Sequence, residues 1–127
     1  MPGSPQFSLE QTNEFARTLK KLVKSKAYDK NFNVIISEVI WGLLNNPYPS
    51  NSRDEPLPRG TRISKQWTFH KLTIKIGKGA SGQVRLIYLV NEIDRIVKPL
   101  WIYNHEQFKK RPPDKELRKN IEDSFEE

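Results

Sequence analysis

Between Lys71 and Val90 the side chains spell out a β-hairpin. Leu72, Ile74 and Ile76 alternate with Lys71, Thr73 and Lys75, which is the period of a strand with one apolar and one basic face. Gly77-Lys78-Gly79-Ala80-Ser81-Gly82 supplies a turn. Beyond it, Val84, Leu86, Tyr88 and Val90 alternate with Arg85, Ile87 and Leu89 in a second strand. A turn at Asn91–Asp94 leads into a third strand, Ile96–Tyr103. Pro99 lies inside that strand, and since proline has no N–H for the ladder it calls for an edge position or a bulge. Strands joined by short turns pair as antiparallel neighbours.

The residues before the hairpin have a different period. Phe7-Ser8-Leu9 is enough for one short strand. Thr12 is a good N-cap, and Phe15, Leu19, Leu22 and Val23 then recur at helical spacing, with Arg17, Lys20, Lys21 and Lys24 on the opposite faces. A helix over Asn13–Lys24 follows. A second helix carries Phe32, Ile35, Ile36, Val39, Ile40, Leu43 and Leu44, and Pro47 ends it by disfavouring helical geometry at Asn46. The two helices are expected to pack as a hairpin. Tyr48–Arg62, with Pro49, Pro56, Pro58 and Gly60, reads as a long loop of the kind that is often functional.

This order predicts an α+β fold, an antiparallel sheet of about four strands with the two N-terminal helices packed on one face. The other face carries Lys71, Thr73, Lys75 and Arg85. Tyr88 shares the parity of the core residues, and Trp41, Trp67 and Trp101 are read as packing residues. One domain spans 1–111 and opens on a flexible lead at Met1–Pro5. Pro112-Pro113 then opens a charged tail over 112–127, either a short helix anchored by Leu117, Ile121 and Phe125 or a mobile segment.

Charge narrows the choice of partner. The 127 residues hold 22 Lys and Arg against 15 Asp and Glu, a formal surplus of +7. A polyanion such as nucleic acid fits that balance, and an acidic protein is the alternative. With no Cys there is no disulfide framework, no thiol nucleophile and no Cys-ligated zinc, and two His argue against a zinc site of any kind. No apolar run approaches the roughly 20 residues of a membrane span. The stretch from Val34 to Leu44 is broken by Ser37 and Glu38, and the N-terminus lacks the pattern of a signal peptide. A cytoplasmic protein without membrane contact or cofactor is expected.

The ordered set of segments resembles the RelE/ParE toxin superfamily of type II toxin–antitoxin systems. The resemblance runs from Phe7 to Lys110. It is carried by the hairpin Lys75–Val90 with Gln83-Val84-Arg85-Leu86-Ile87-Tyr88, by the helix ending Leu43-Leu44-Asn45-Asn46-Pro47, and by Pro56-Leu57-Pro58-Arg59-Gly60. The last strand, Leu100-Trp101-Ile102-Tyr103-Asn104-His105, is similar to that of the YoeB- and YafQ-like branches, in which a His follows the strand. The resemblance implies a toxin that cuts mRNA on the ribosome without a metal and so inhibits translation, silenced by a cognate antitoxin. Two alternatives stay open, a ParE-like inhibitor of DNA gyrase and an inactive module that binds only RNA or antitoxin.

Metal-free RNA cleavage uses the substrate's own 2′-hydroxyl. It needs a base for that proton, cations for the phosphorane and an acid for the leaving 5′-oxygen. Arg85 is the candidate phosphate clamp, Lys75 a second cation, and His105 the proton-transfer group. Lys71, Lys78, Lys109 and Lys110 are candidate RNA contacts, and Phe108 a base-stacking residue. Plainer readings compete. His105 can be a surface His, Arg85 the partner of a cross-strand carboxylate, and Lys71 and Lys75 solvated residues of an exposed sheet face. The glycine-rich turn joins two strands rather than a strand and a helix, so it is not a nucleotide loop.

Overall fold

The computed structural model describes residues 5–79 and 82–127. Residues 1–4 of the expected lead, and Ala80 and Ser81 of the glycine turn, lie outside the described residues. The elements in chain order are β1 (Ser8–Leu9), α1 (Asn13–Lys24), α2 (Phe32–Asn45), β2 (Ser52–Asp54), β3 (Trp67–Lys75), β4 (Gln83–Asn91), β5 (Ile96–Asn104) and α3 (Asp114–Asp123). They form one five-stranded sheet in the order β1-β5-β4-β3-β2. Every neighbouring pair is antiparallel except β1 with β5.

The sheet has one strand more than the sequence predicts, and the reason is local. β2 sits inside the proline-rich loop and is only three residues long, too short to show a period. It pairs with β3 through Ser52↔Leu72, Arg53↔Lys71 and Asp54↔His70. Pro99 falls at a register shift opposite Ile87 and Tyr88, so the missing N–H is accommodated by a bulge.

The helices follow the apolar spacing. Thr12 caps α1 by accepting the Phe15 N–H at 3.2 Å, a contact worth about 1 kcal/mol. Phe15 and Leu22 of α1 join Phe32, Ile36, Ile40, Leu43 and Leu44 of α2 over Leu72, Val84, Leu86, Tyr88 and Ile102 of the sheet. Val23 and Trp41 do not follow the expectation. Both are exposed, Trp41 to 54%, because they project from the helix sides turned away from the sheet. Tyr88 is fully buried, and its hydroxyl donates to the Pro47 carbonyl at 2.7 Å, tying the end of α2 to the sheet.

β1 covers only the first two residues of β5, at Ile96 and Val97. The remaining edge of β5 is closed by α1 instead. The Thr12 hydroxyl donates to the Pro99 carbonyl at 2.9 Å, and the Thr18 hydroxyl accepts the Ile102 N–H at 3.1 Å. These two threonines satisfy backbone groups that a longer β1 would otherwise pair.

The second face of the sheet is not bare. Phe69, Ile87, Leu89, Leu100, Trp101 and Tyr103 form a second core with Leu117 and Ile121 of α3. The terminal segment is therefore a docked helix over much of its length. It covers the part of this face nearest Phe69 and Leu89, and the rest, around Thr73 and Arg85, stays open.

Candidate functional site

An open cleft of about 680 Å³ lies on the uncovered part of that face, lined by Ser50, Asn51, Ser52, Arg53, Lys71, Thr73, Lys75 and Arg85. Strand parity explains the set. Thr73 pairs with Arg85 and Lys71 with Ile87, so Lys71, Thr73, Lys75 and Arg85 all project to one side of the central hairpin. Arg53 enters from β2, in register with Lys71. Four cations and no carboxylate line the cleft, an arrangement that favours an anion.

His105 stands at the cleft's margin, bonded to its arginine. Its Nδ1 lies 3.1 Å from Nη1 of Arg85. A guanidinium only donates, so Nδ1 accepts, and the neutral ring carries its hydrogen on Nε2. The placement is rigid. The His105 N–H donates to the Gln83 carbonyl at 2.9 Å, and the following turn is closed reciprocally: the Asn104 N–H donates to Gln107 Oε1 at 3.0 Å and the Gln107 N–H to Asn104 Oδ1 at 2.9 Å. Arg85 makes a weaker contact to Gln83 Oε1 at 3.4 Å and has no carboxylate partner among the described residues. The cross-strand partners of Arg85 are Thr73 and Tyr103, and neither is an acid.

Lys71 and Lys75 differ in kind. Lys75 is exposed, whereas Lys71 is buried, with Nζ 3.5 Å from Glu55 Oε1 and 3.4 Å from the Lys110 carbonyl. Burial lowers the Lys71 pKa, and the Glu55 carboxylate partly opposes that shift. Glu55 also reaches Arg53 at 3.3 Å and Arg111 at 3.7 Å, so one largely buried carboxylate holds three cations beside the cleft. Tyr103 is fully buried and donates to the Lys110 carbonyl at 2.5 Å, and burial raises its pKa well above the usual phenol value. It fixes the loop after β5 and keeps its proton at neutral pH.

The other expected contacts spread out. Lys109 and Lys110 are exposed, and the Lys110 carbonyl serves as the acceptor just described. Lys78 is exposed on the glycine turn. Phe108 is partly buried, edge-on to Trp101 at 6.1 Å and to Tyr103 at 5.6 Å. Arg53, Glu55 and Arg111 were not anticipated from the sequence. The signal for the first two was present in Ser52-Arg53-Asp54-Glu55, where alternate residues serve opposite sheet faces, but no apolar residue marked the segment as a strand.

No family model matches the sequence, and no curated protein matches it. Among solved structures, a chain of the archaeal RelE–RelB complex from Pyrococcus horikoshii OT3 superposes with a TM-score of 0.54 at 15% identity, over 78% of this chain and 94% of that one. The Escherichia coli toxin RelE, as a mutant in the free state, gives 0.47 at 17% identity over 82% and 88% of the two chains. A conserved hypothetical protein from Helicobacter pylori gives 0.47 at 19% identity over 80% and 97%. The sheet with its two N-terminal helices thus adopts a RelE-like fold.

Proposed function

We propose that this protein is the toxin of a type II toxin–antitoxin pair and that it cleaves messenger RNA on the ribosome, stopping translation. The observation that carries the reading is the 3.1 Å contact of the Arg85 guanidinium with His105 Nδ1 at the margin of a cleft lined by cations. In the proposed reaction a backbone phosphate enters the cleft and engages Arg85 and Lys75, with Arg53 at its side. Drawing the guanidinium onto phosphate releases His105 Nδ1 to take a proton. The substrate's 2′-oxygen attacks phosphorus as its proton passes to His105 Nδ1, the bond from phosphorus to the 5′-oxygen breaks, and the imidazolium returns that proton to the leaving oxygen. The products are a 2′,3′-cyclic phosphate and a 5′-hydroxyl. Lys78, Lys109, Lys110 and Phe108 would contact the flanking RNA. The nucleophile belongs to the substrate, so these side chains and the RNA together account for every atom and proton. By analogy with the archaeal RelE–RelB complex, the protein partner is an antitoxin.

The test is induced expression of wild type, Arg85→Ala and His105→Ala in a bacterium, following growth and message integrity together. Arrest with cut messages, relieved by either substitution, is the expected result. Catalytically normal cleavage by His105→Ala refutes its role in proton transfer. Arrest with intact messages and DNA damage signalling turns the reading to gyrase. No arrest by soluble, folded protein leaves a module that only binds.

A further inference from the structure

On the opposite face of the sheet from the cleft, His70 is buried at 3% exposure, and both its ring nitrogens are engaged. Nδ1 lies 3.1 Å from Asp54 Oδ1, and Nε2 lies 2.6 Å from the Thr68 hydroxyl. Its ring packs between those of Tyr88, at 5.4 Å, and Tyr48, at 5.3 Å. The Tyr48 hydroxyl in turn donates to Glu92 Oε2 at 2.5 Å. A histidine so placed acts on β2. Asp54 and Glu55 are consecutive, so strand alternation sends them to opposite faces. Asp54 meets His70 on one face, and Glu55 meets Lys71, the next residue of β3, on the other. β2 has only three residues of ladder, so its side-chain tethers carry an unusual share of what holds it.

We propose that His70 is a positioning residue: through Asp54 it holds β2 from the far face, so that the Glu55 carboxylate stays among Lys71, Arg53 and Arg111 and orders the cations of the cleft. The proposal rests on reading that cleft as the phosphate site. No atom of His70 reaches the cleft, and its influence passes through one hydrogen bond to Asp54 and one peptide step.

The test compares wild type with His70→Leu, which keeps the volume and loses the tether, and His70→Gln, which keeps a donor toward Asp54. Lys71 is titrated in each by NMR of labelled lysine side chains, beside thermal melts. Glu55 raises the Lys71 pKa, so a Glu55 that swings away lowers it further. The expected result in folded His70→Leu is a lower Lys71 titration, restored in part by His70→Gln. Message cleavage should lose roughly ten- to a hundred-fold in kcat with KM little changed, the pattern of a misplaced rather than missing group. An unchanged Lys71 titration in folded His70→Leu overturns the proposal. If that variant does not fold, Asp54→Ala decides by the same titration, since its side chain is 93% exposed and its loss leaves the core intact. A wild type that leaves messages whole sinks the nuclease reading alone, because the Lys71 titration judges the tether without any cleavage.

Discussion

At the scale of single residues, two lysines on one strand face have separate jobs. Lys75→Ala removes an exposed cation, so stability should move by no more than about 0.5 kcal/mol while RNA binding weakens. Lys71→Ala leaves Glu55 without its buried partner, and a cost of about 1–3 kcal/mol is expected. Urea midpoints and oligoribonucleotide titrations of the two variants check this, and equal loss of stability would contradict it. His70 gives a pH signature. Burial lowers its pKa in the folded protein and Asp54 opposes that shift, while the unfolded chain keeps the ordinary value of about 6.5. The unfolded state therefore binds the extra proton at mildly acid pH. The stabilisation is whole above the unfolded value and is lost as pH falls through the lower folded one. The stability advantage of wild type over His70→Gln should accordingly shrink as pH falls below the unfolded value of about 6.5, a change that thermal melts can follow.

At the scale of elements, α3 is held by two unlike devices. Leu117 and Ile121 are fully buried against the second face of the sheet, and Leu117→Ala should cost about 2–4 kcal/mol in urea unfolding. The other device is Lys98, buried at 1% exposure, with Nζ 2.9 Å from Glu10 Oε1, 3.3 Å from the Ser124 carbonyl and 3.5 Å from the Phe125 ring centre. Lys98→Met fills the same space and releases Glu10 to water. Global stability should change little, while amide exchange rises in the last turn of α3, where Ser124 loses its donor. The sequence shows why α3 was hard to read. Leu117 and Ile121 are two apolar residues in a charged helix, and their partners Phe69, Ile87 and Leu89 sit on strand positions that alternation assigned to the open face. A pattern within one element does not reveal which other element covers it. By contrast α1, α2 and the β3–β4 hairpin were legible because each carries its period over many residues. In the site, Arg85, Lys75 and His105 were legible from strand parity and chain order, whereas Glu55 and Arg53 depended on the pairing of a three-residue strand.

At the scale of the whole molecule, the formal surplus of +7 is less telling than where the charge is left unpaired. Arg17 is bonded to Glu14 at 2.7 Å, Lys119 to Asp123 at 2.7 Å and Arg95 to Glu92 at 3.4 Å, so outer cations are partly neutralised by their own neighbours. The cleft differs in part: Arg53 and Lys71 share Glu55, while Lys75 and Arg85 have no carboxylate partner among the described residues. Single-stranded nucleic acid binding loses affinity with salt at about 0.7 log units per log of salt for each phosphate neutralised. If the four cleft cations supply the phosphate contacts, the slope for an uncleavable oligoribonucleotide is about −3, and Lys75→Ala reduces it by about 0.7. A slope near −6 would place most contacts outside the cleft, on the basic side of α1 and the loop at Lys109 and Lys110. Fluorescence anisotropy across a range of salt concentrations separates the two. The small slope is the outcome that ties binding to the face where Arg85 meets His105, since there the open surface of the sheet presents Lys75 and Arg85 without a carboxylate partner among the described residues.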